Sequence, residues 1–193
     1  MMSVSNLLDG HAHFLYIITL WAIYLYISKK RANFVGHIYQ YIMKQTLNIS
    51  YEHYDSLEAL NAEERALVEE AKAATANANA PYSNFNVGAA VRLRSGRTFH
   101  ASNFESEVYP AGLCAERSLL FYIEANYADD PIEMLAIASN PSERECYPCG
   151  QCRQVIVDVQ RRQKSPIRVI MSSASSATVI DDAEMLLPFT FKL

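Results

Sequence analysis

Long apolar runs are scarce in this chain of 193 residues. The longest, Phe14 to Ile27 (FLYIITLWAIYLYI), has 14 residues. At ~1.5 Å of rise each, that falls short of a ~30 Å hydrocarbon core, which takes about 20 residues to span. Nor does the run fit a signal peptide. Its positive charges, Lys29, Lys30 and Arg31, follow it instead of preceding it, and no small-residue cleavage site stands out. Cysteine is scarce too. There are four, and Cys146, Cys149 and Cys152 crowd into seven positions. A disulfide framework has spread-out cysteines in a shorter secreted chain, so this clustering points to thiols in a reducing, cytoplasmic compartment. Basic charge is short as well. Net charge is −4, and residues 43–193 hold 14 basic against 20 acidic residues, a net of −6. Such a domain grips a phosphate backbone poorly, which argues against nucleic acid as a partner. A small, weakly charged substrate fits better. There is no G-x-x-x-x-G-K-S/T loop, no internal repeat and no low-complexity tract.

Residues 1–42 form an apolar extension distinct from a domain at 43–193. Three readings of the extension stay open. It is a membrane-associated segment with its positive end inside, a helix docked on the domain or a partner, or a segment outside the natural chain, with translation starting at Met43. No membrane contact is expected of residues 43–193.

Within that domain, Leu57, Leu60, Ala66, Leu67 and Ala71 recur at helical spacing, which predicts one amphipathic helix from Ser56 to about Asn77, capped by Ser56 or Asn61. Ala80-Pro81-Tyr82-Ser83 breaks it. Strands are predicted over 85–94 and 98–102, joined at Ser95-Gly96-Arg97. The small residues Gly88, Ala89 and Ala90 predict a close approach by a helix or a ligand. A buried helix follows from about Leu113 to Asn126, then a strand over 132–139. The next helix has Pro148 in its first turn and runs to about Arg162. Strands over 167–171 and 177–180 and a short capped helix at 181–186 complete the order. The pattern β-β-α-β-α-β-β behind a leading helix predicts an α/β fold, a three-layer α/β/α sandwich with a mixed sheet of about five strands.

The chemistry concentrates in Cys114-Ala115-Glu116 and Pro148-Cys149-Gly150-Gln151-Cys152. Three thiolates, Cys114, Cys149 and Cys152, can hold one Zn²⁺ and leave its fourth corner for water. Two helix N-termini meeting there favour thiolate over thiol. Three thiolates on Zn²⁺ carry a net negative charge, and Arg117 and Arg153 are candidates to neutralise the sulfurs. Glu116 is placed to move protons at the water. None of the five histidines is near these motifs. Cys146 is the candidate fourth ligand of a closed structural site, but it stands before Pro148 and would leave Glu116 without a role; a spare thiol is the simpler reading. The pattern resembles that of zinc deaminases, in which a Glu beside the first ligand is not itself a ligand. The expected reaction has a zinc-bound hydroxide attacking an amine-bearing ring carbon while Glu116 shuttles protons and ammonia leaves.

The chain further resembles the cytidine deaminase family, in its small homotetrameric, three-cysteine branch, over about Leu67 to Phe191. The resemblance rests on Ala80-Pro81-Tyr82-Ser83-Asn84-Phe85-Asn86-Val87-Gly88-Ala89-Ala90, Asn103-Phe104-Glu105, Cys114-Ala115-Glu116-Arg117, Pro148-Cys149-Gly150-Gln151-Cys152-Arg153-Gln154 and Leu186-Leu187-Pro188. It implies deamination of cytidine and deoxycytidine in pyrimidine salvage. It implies that Phe85 packs against the pyrimidine, that Asn103 and Glu105 hold the ribose hydroxyls, and that Phe191 closes a neighbouring subunit's site. The chain departs from the family at Ser106-Glu107, where Asn-Ala is usual, and at Phe189-Thr190, where Gly-Ala is common.

Two other readings compete. Deamination of a cytosine-containing antibiotic such as blasticidin S would use the same chemistry. A catalytically dead zinc-binding or interaction module would keep the cysteines but have no use for Glu116.

Overall fold

A computed structural model describes residues 16–33 and 43–192. The chain falls into two compact units, one ending at Asn48 and one covering Ile49–Leu193. In the first, residues 16–33 form a helix, α1, and all are exposed. Among the described residues no helix is long and apolar enough to cross a membrane. Phe14 and Leu15, where the apolar run begins in the sequence, lie outside the described residues.

The second unit is built on one mixed sheet of six strands. These are β1 (Glu52–Tyr54), β2 (Asn86–Leu93), β3 (Thr98–Ser102), β4 (Ile132–Asn140), β5 (Arg168–Ser172) and β6 (Ala177–Ile180), in the order β1-β6-β5-β4-β2-β3. The sheet thus has one strand more than expected. The addition is β1, three residues paired antiparallel to β6 at the sheet edge. Three residues are too short to show a period of two. Only β4 and β5 run parallel. A parallel pair needs a long crossover, and helix α4 (Gly150–Gln163) supplies it.

Helices cover both faces. Ala89, Val91 and Leu93 of β2 pack with Leu119, Leu120 and Ile123 of α3 (Ala115–Asn126) and Ile156 of α4. The alternate residue Ala90 packs with Leu67, Val68 and Ala71 of α2 (Ala62–Ala74). Period two in the strand therefore divides the core into two layers, one on each side of the sheet. Gly88 is the point of closest approach to α2. A β-carbon there would lie 2.0 Å from the Ala71 carbonyl oxygen. The small residues of β2 thus admit a helix.

The single helix expected over 56–77 is three pieces. Ser56 caps a 3₁₀ turn at Leu57–Ala59, and Asn61 caps α2. A second 3₁₀ turn, Thr75–Asn77, follows. Both cap candidates are used because each accepts a backbone N–H. Asn61 and Glu64 form a reciprocal capping box. The segment after β6 is likewise a 3₁₀ turn, Ala183–Leu186, capped by Asp182.

Candidate metal centre

Helices α3 and α4 lie on the same face of the sheet, and each begins with a cysteine. Cys114 is the N-cap of α3 and Cys149 the N-cap of α4. Both have extended backbones, and their carbonyls accept the first helical bonds, from Ser118 N and Arg153 N. The expected helix starts were therefore slightly early, with Cys114 and Pro148 placed inside first turns. Pro148 precedes the cap of α4. An N-cap side chain ordinarily accepts a bond from the first turn. Neither cysteine does so, which leaves both sulfurs free to face something else.

Cys152 is fully buried in the first turn of α4. The sulfurs of Cys114, Cys149 and Cys152 all lie within 4.8 Å of one another. The Cys149 and Cys152 sulfurs are 3.5 Å apart. All are free thiols. The N-terminal poles of two helices add positive potential at this point. A hydrogen bond from Cys152, together with Arg117, pulls the Cys114 thiol down to about 5 despite its partial burial. Cys152 moves the opposite way, because it gives that hydrogen bond and is buried. The arrangement therefore favours thiolate at Cys114. Three converging soft donors, with room for a fourth ligand, suit zinc. The cluster fits one Zn²⁺ per chain.

Cys146 is outside the cluster of sulfurs. It is buried, its N–H donates to the Ser172 carbonyl, and burial followed by the charge of Glu116 pushes its thiol up to about 11. A thiol so held behaves as a small apolar side chain.

Glu116 lies in the first turn of α3 and is only 4% exposed. Burial raises its pKa, and the neighbouring Cys114 charge adds to the effect; its own backbone N–H opposes both. A carboxyl raised in this way gives up its proton less readily, which suits a group that must both take and return one. Arg117 Nη2 donates to the Cys114 sulfur at 3.7 Å. Arg153 does not face the sulfurs as expected. Its Nε donates to the Pro148 carbonyl at 2.9 Å and its Nη1 to the Leu186 carbonyl at 3.4 Å. These two bonds brace the loop before α4.

A cavity of about 280 Å³ opens beside Cys114 and Arg117, with Asn103, Glu105 and Ser106 in its wall. Glu105 accepts the backbone N–H groups of Tyr82 and Ser83. The Ser83 hydroxyl and the Tyr82 N–H hold its carboxyl below the usual range. Asn103 is pinned to β2: Oδ1 accepts Val87 N–H at 2.7 Å, and Nδ2 donates to the Phe85 carbonyl at 3.0 Å. The half-exposed Phe85 ring lines a second cavity, of about 650 Å³, with Ser139, Cys146 and Tyr147. Phe191 is exposed, and beside it are Gln154, Asp158 and Arg161 at a third cavity. Sequence reasoning missed Tyr82 and Tyr109, which meet edge to face at 5.7 Å in the wall of the first cavity. The only signal was the Pro81-Tyr82-Ser83 turn, which reads as a helix breaker.

The fold and the three-sulfur cluster with a buried carboxyl define a zinc hydrolase. The family described as the cytidine and deoxycytidylate deaminase zinc-binding region matches residues 61–165. The chain is 36% identical over 93 residues to the cytidine deaminase of Halalkalibacterium halodurans, covering 48% of this chain and 69% of that protein. Its structure is similar to the cytidine deaminase of Burkholderia pseudomallei, with a TM-score of 0.56 and 37% identity, covering 65% of this chain and 97% of that one. It is similar also to that of Mycobacterium tuberculosis, with a TM-score of 0.54 and 27% identity, covering 69% and 100%. The chain belongs to the cytidine deaminase family, whose enzymes are hydrolases of C–N bonds.

Proposed function

We propose that residues 43–193 catalyse the hydrolytic deamination of cytidine and deoxycytidine to uridine and deoxyuridine, releasing ammonia, in pyrimidine salvage in the cytoplasm. The observation that carries this reading is Glu116, a buried carboxyl of raised pKa two residues after Cys114 and in hydrogen-bond reach of Cys152, beside the cluster of three thiols. Cys114, Cys149 and Cys152 would hold the zinc. When bound, zinc would acidify a water for attack at the amine-bearing C4 of the pyrimidine. Glu116 would take one proton of that water and give it to the ring nitrogen as the C4–O bond forms, then carry the second proton from the new hydroxyl to the amine as the C4–N bond breaks and ammonia leaves. Arg117 offsets the negative charge of the sulfurs. Arg153 acts at one remove, by fixing the Pro148 carbonyl next to Cys149.

Phe85 offers a ring face to the pyrimidine. Asn103 and Glu105 face the ribose hydroxyls. Both side chains also serve the scaffold, so the sugar docks on groups that are already oriented. Phe191 closes the site of a neighbouring subunit in a homotetramer. Ser106 in the wall of the first cavity departs from the family and bears on substrate choice.

The test supplies the zinc-loaded chain with cytidine, deoxycytidine, cytosine and blasticidin S separately and follows ammonia. Turnover of the two nucleosides alone is expected. Turnover of blasticidin S alone would reassign the substrate. No turnover of any of the four, with one zinc bound, would favour a non-catalytic module.

A further inference from the structure

Helix α1 has no counterpart in the deamination chemistry, and its surface is unusual. Residues 16–33 are exposed at every position. Ile17, Ile18, Leu20, Ile23, Leu25 and Ile27, each about half-exposed, together with the exposed Trp21, Ala22 and Tyr26 between them, place apolar and aromatic side chains around the circumference. A helix that is apolar all round is stable only when something apolar surrounds it. Protein surface is the ordinary answer in a core, and hydrocarbon is the other.

Charge distinguishes these. Lys29, Lys30 and Arg31 sit together immediately after the apolar run, with no acidic residue between 16 and 33. Lys30 lies over the Tyr26 ring, with Nζ 5.3 Å from its centroid, so an aromatic and a cation occupy the same level of the helix. Trp21, Tyr16, Tyr24 and Tyr26 are all exposed. Tyr and Trp rings favour the boundary between headgroups and acyl chains, and adjacent basic residues favour anionic headgroups. Residues 43–193, at net −6, offer no such attraction to an anionic surface.

We propose that α1 is a membrane anchor that buries its apolar circumference in a lipid bilayer carrying anionic headgroups, with Lys29, Lys30 and Arg31 at headgroup level. The segment inserts without crossing, since the apolar part of the described helix, residues 16–27, reaches only ~18 Å. The enzyme unit would then work tethered to a lipid surface, which confines its activity in space without altering its chemistry.

The test is flotation of the full chain on a density gradient with phosphatidylcholine vesicles and, separately, with vesicles of equal parts phosphatidylcholine and phosphatidylserine. The full chain should float with both, more strongly with the anionic set. Leu20→Asp with Ile23→Asp should lower the partition coefficient about a hundredfold or more. Lys29→Glu, Lys30→Glu and Arg31→Glu together should remove the preference for phosphatidylserine. Ammonia release from cytidine, measured in solution, should be unchanged in both variants. Failure to float with either vesicle would overturn the proposal. So would sedimentation as a self-associated species that vesicles do not lift, which would assign α1 to a second copy of the chain. Undiminished flotation of the aspartate variant would also overturn it.

Discussion

Arg117 donates from Nη2 to the Cys114 sulfur, 3.7 Å away and one helical turn before it, while its Nε is buried without a hydrogen-bond partner among the described residues. A guanidinium held there favours thiolate in the sulfur cluster and leaves one donor unused in the metal-free protein. Arg117→Ala should therefore weaken zinc binding about tenfold to a hundredfold, the range seen when groups behind metal ligands are removed. Competition with a chromogenic chelator measures it. Unchanged affinity would reduce Arg117 to packing.

The same contacts set a pH dependence. In the metal-free folded chain the Cys152 hydrogen bond and Arg117 hold Cys114 at about 5, against an ordinary thiol value of 9.0. Between those values the folded state binds fewer protons at Cys114 than the unfolded state, so stability rises with pH across the window. Above it, Cys152 reverses the trend, because its thiol is raised and the unfolded chain ionises more readily. Burial raises Glu116, which opposes this slope, so the comparison is made in Glu116→Gln protein treated with chelator, where the urea midpoint should be higher at about pH 8 than at about pH 5.5. A flat or falling midpoint in that variant would contradict the lowered Cys114 thiol.

Cys146 should be dispensable to the metal. Its sulfur is outside the cluster, and its thiol is pushed up to about 11 by burial and then by Glu116. Cys146→Ala should keep one zinc per chain by elemental analysis, at a stability cost of about 1 kcal/mol for the lost packing. Cys149→Ala should lose the zinc. Loss of zinc from the Cys146 variant would restore the closed four-cysteine reading.

Gly88 sets the spacing of the sheet from α2. A methyl group there would meet the Ala71 carbonyl oxygen at 2.0 Å and the Ala74 β-carbon at 3.0 Å. Neither neighbour is a flexible side-chain end, so Gly88→Ala should cost about 3 kcal/mol or more as α2 is forced outward. Chemical denaturation with circular dichroism detection reads the change. A neutral substitution would mean that α2 shifts freely.

The motifs at 114–116 and 148–152 were legible because their spacing is local: residues three apart share a helix face. The strand pair at 86–93 and 98–102 was legible for the same reason, through alternation and a glycine turn. What escaped was decided by geometry that the sequence does not carry. The strand at Glu52–Tyr54 is too short to show a period and exists only because β6 offers it an edge. The break at Leu60-Asn61 hides inside a continuous helical pattern, since apolar spacing persists through both pieces. Arg153 seemed equivalent to Arg117, but the Pro148 and Leu186 carbonyls, brought beside it by the fold, take its donors. Tyr82 and Tyr109 come together across 27 residues of chain, so no local signal links them.

The most direct test of the account is Glu116→Gln. The substitution preserves shape and leaves the three cysteines intact, but removes the proton carrier. The variant should bind one zinc per chain and lose about a hundredfold or more in cytidine turnover. Full zinc content with undiminished turnover would contradict the role given to Glu116 and, with it, the mechanism.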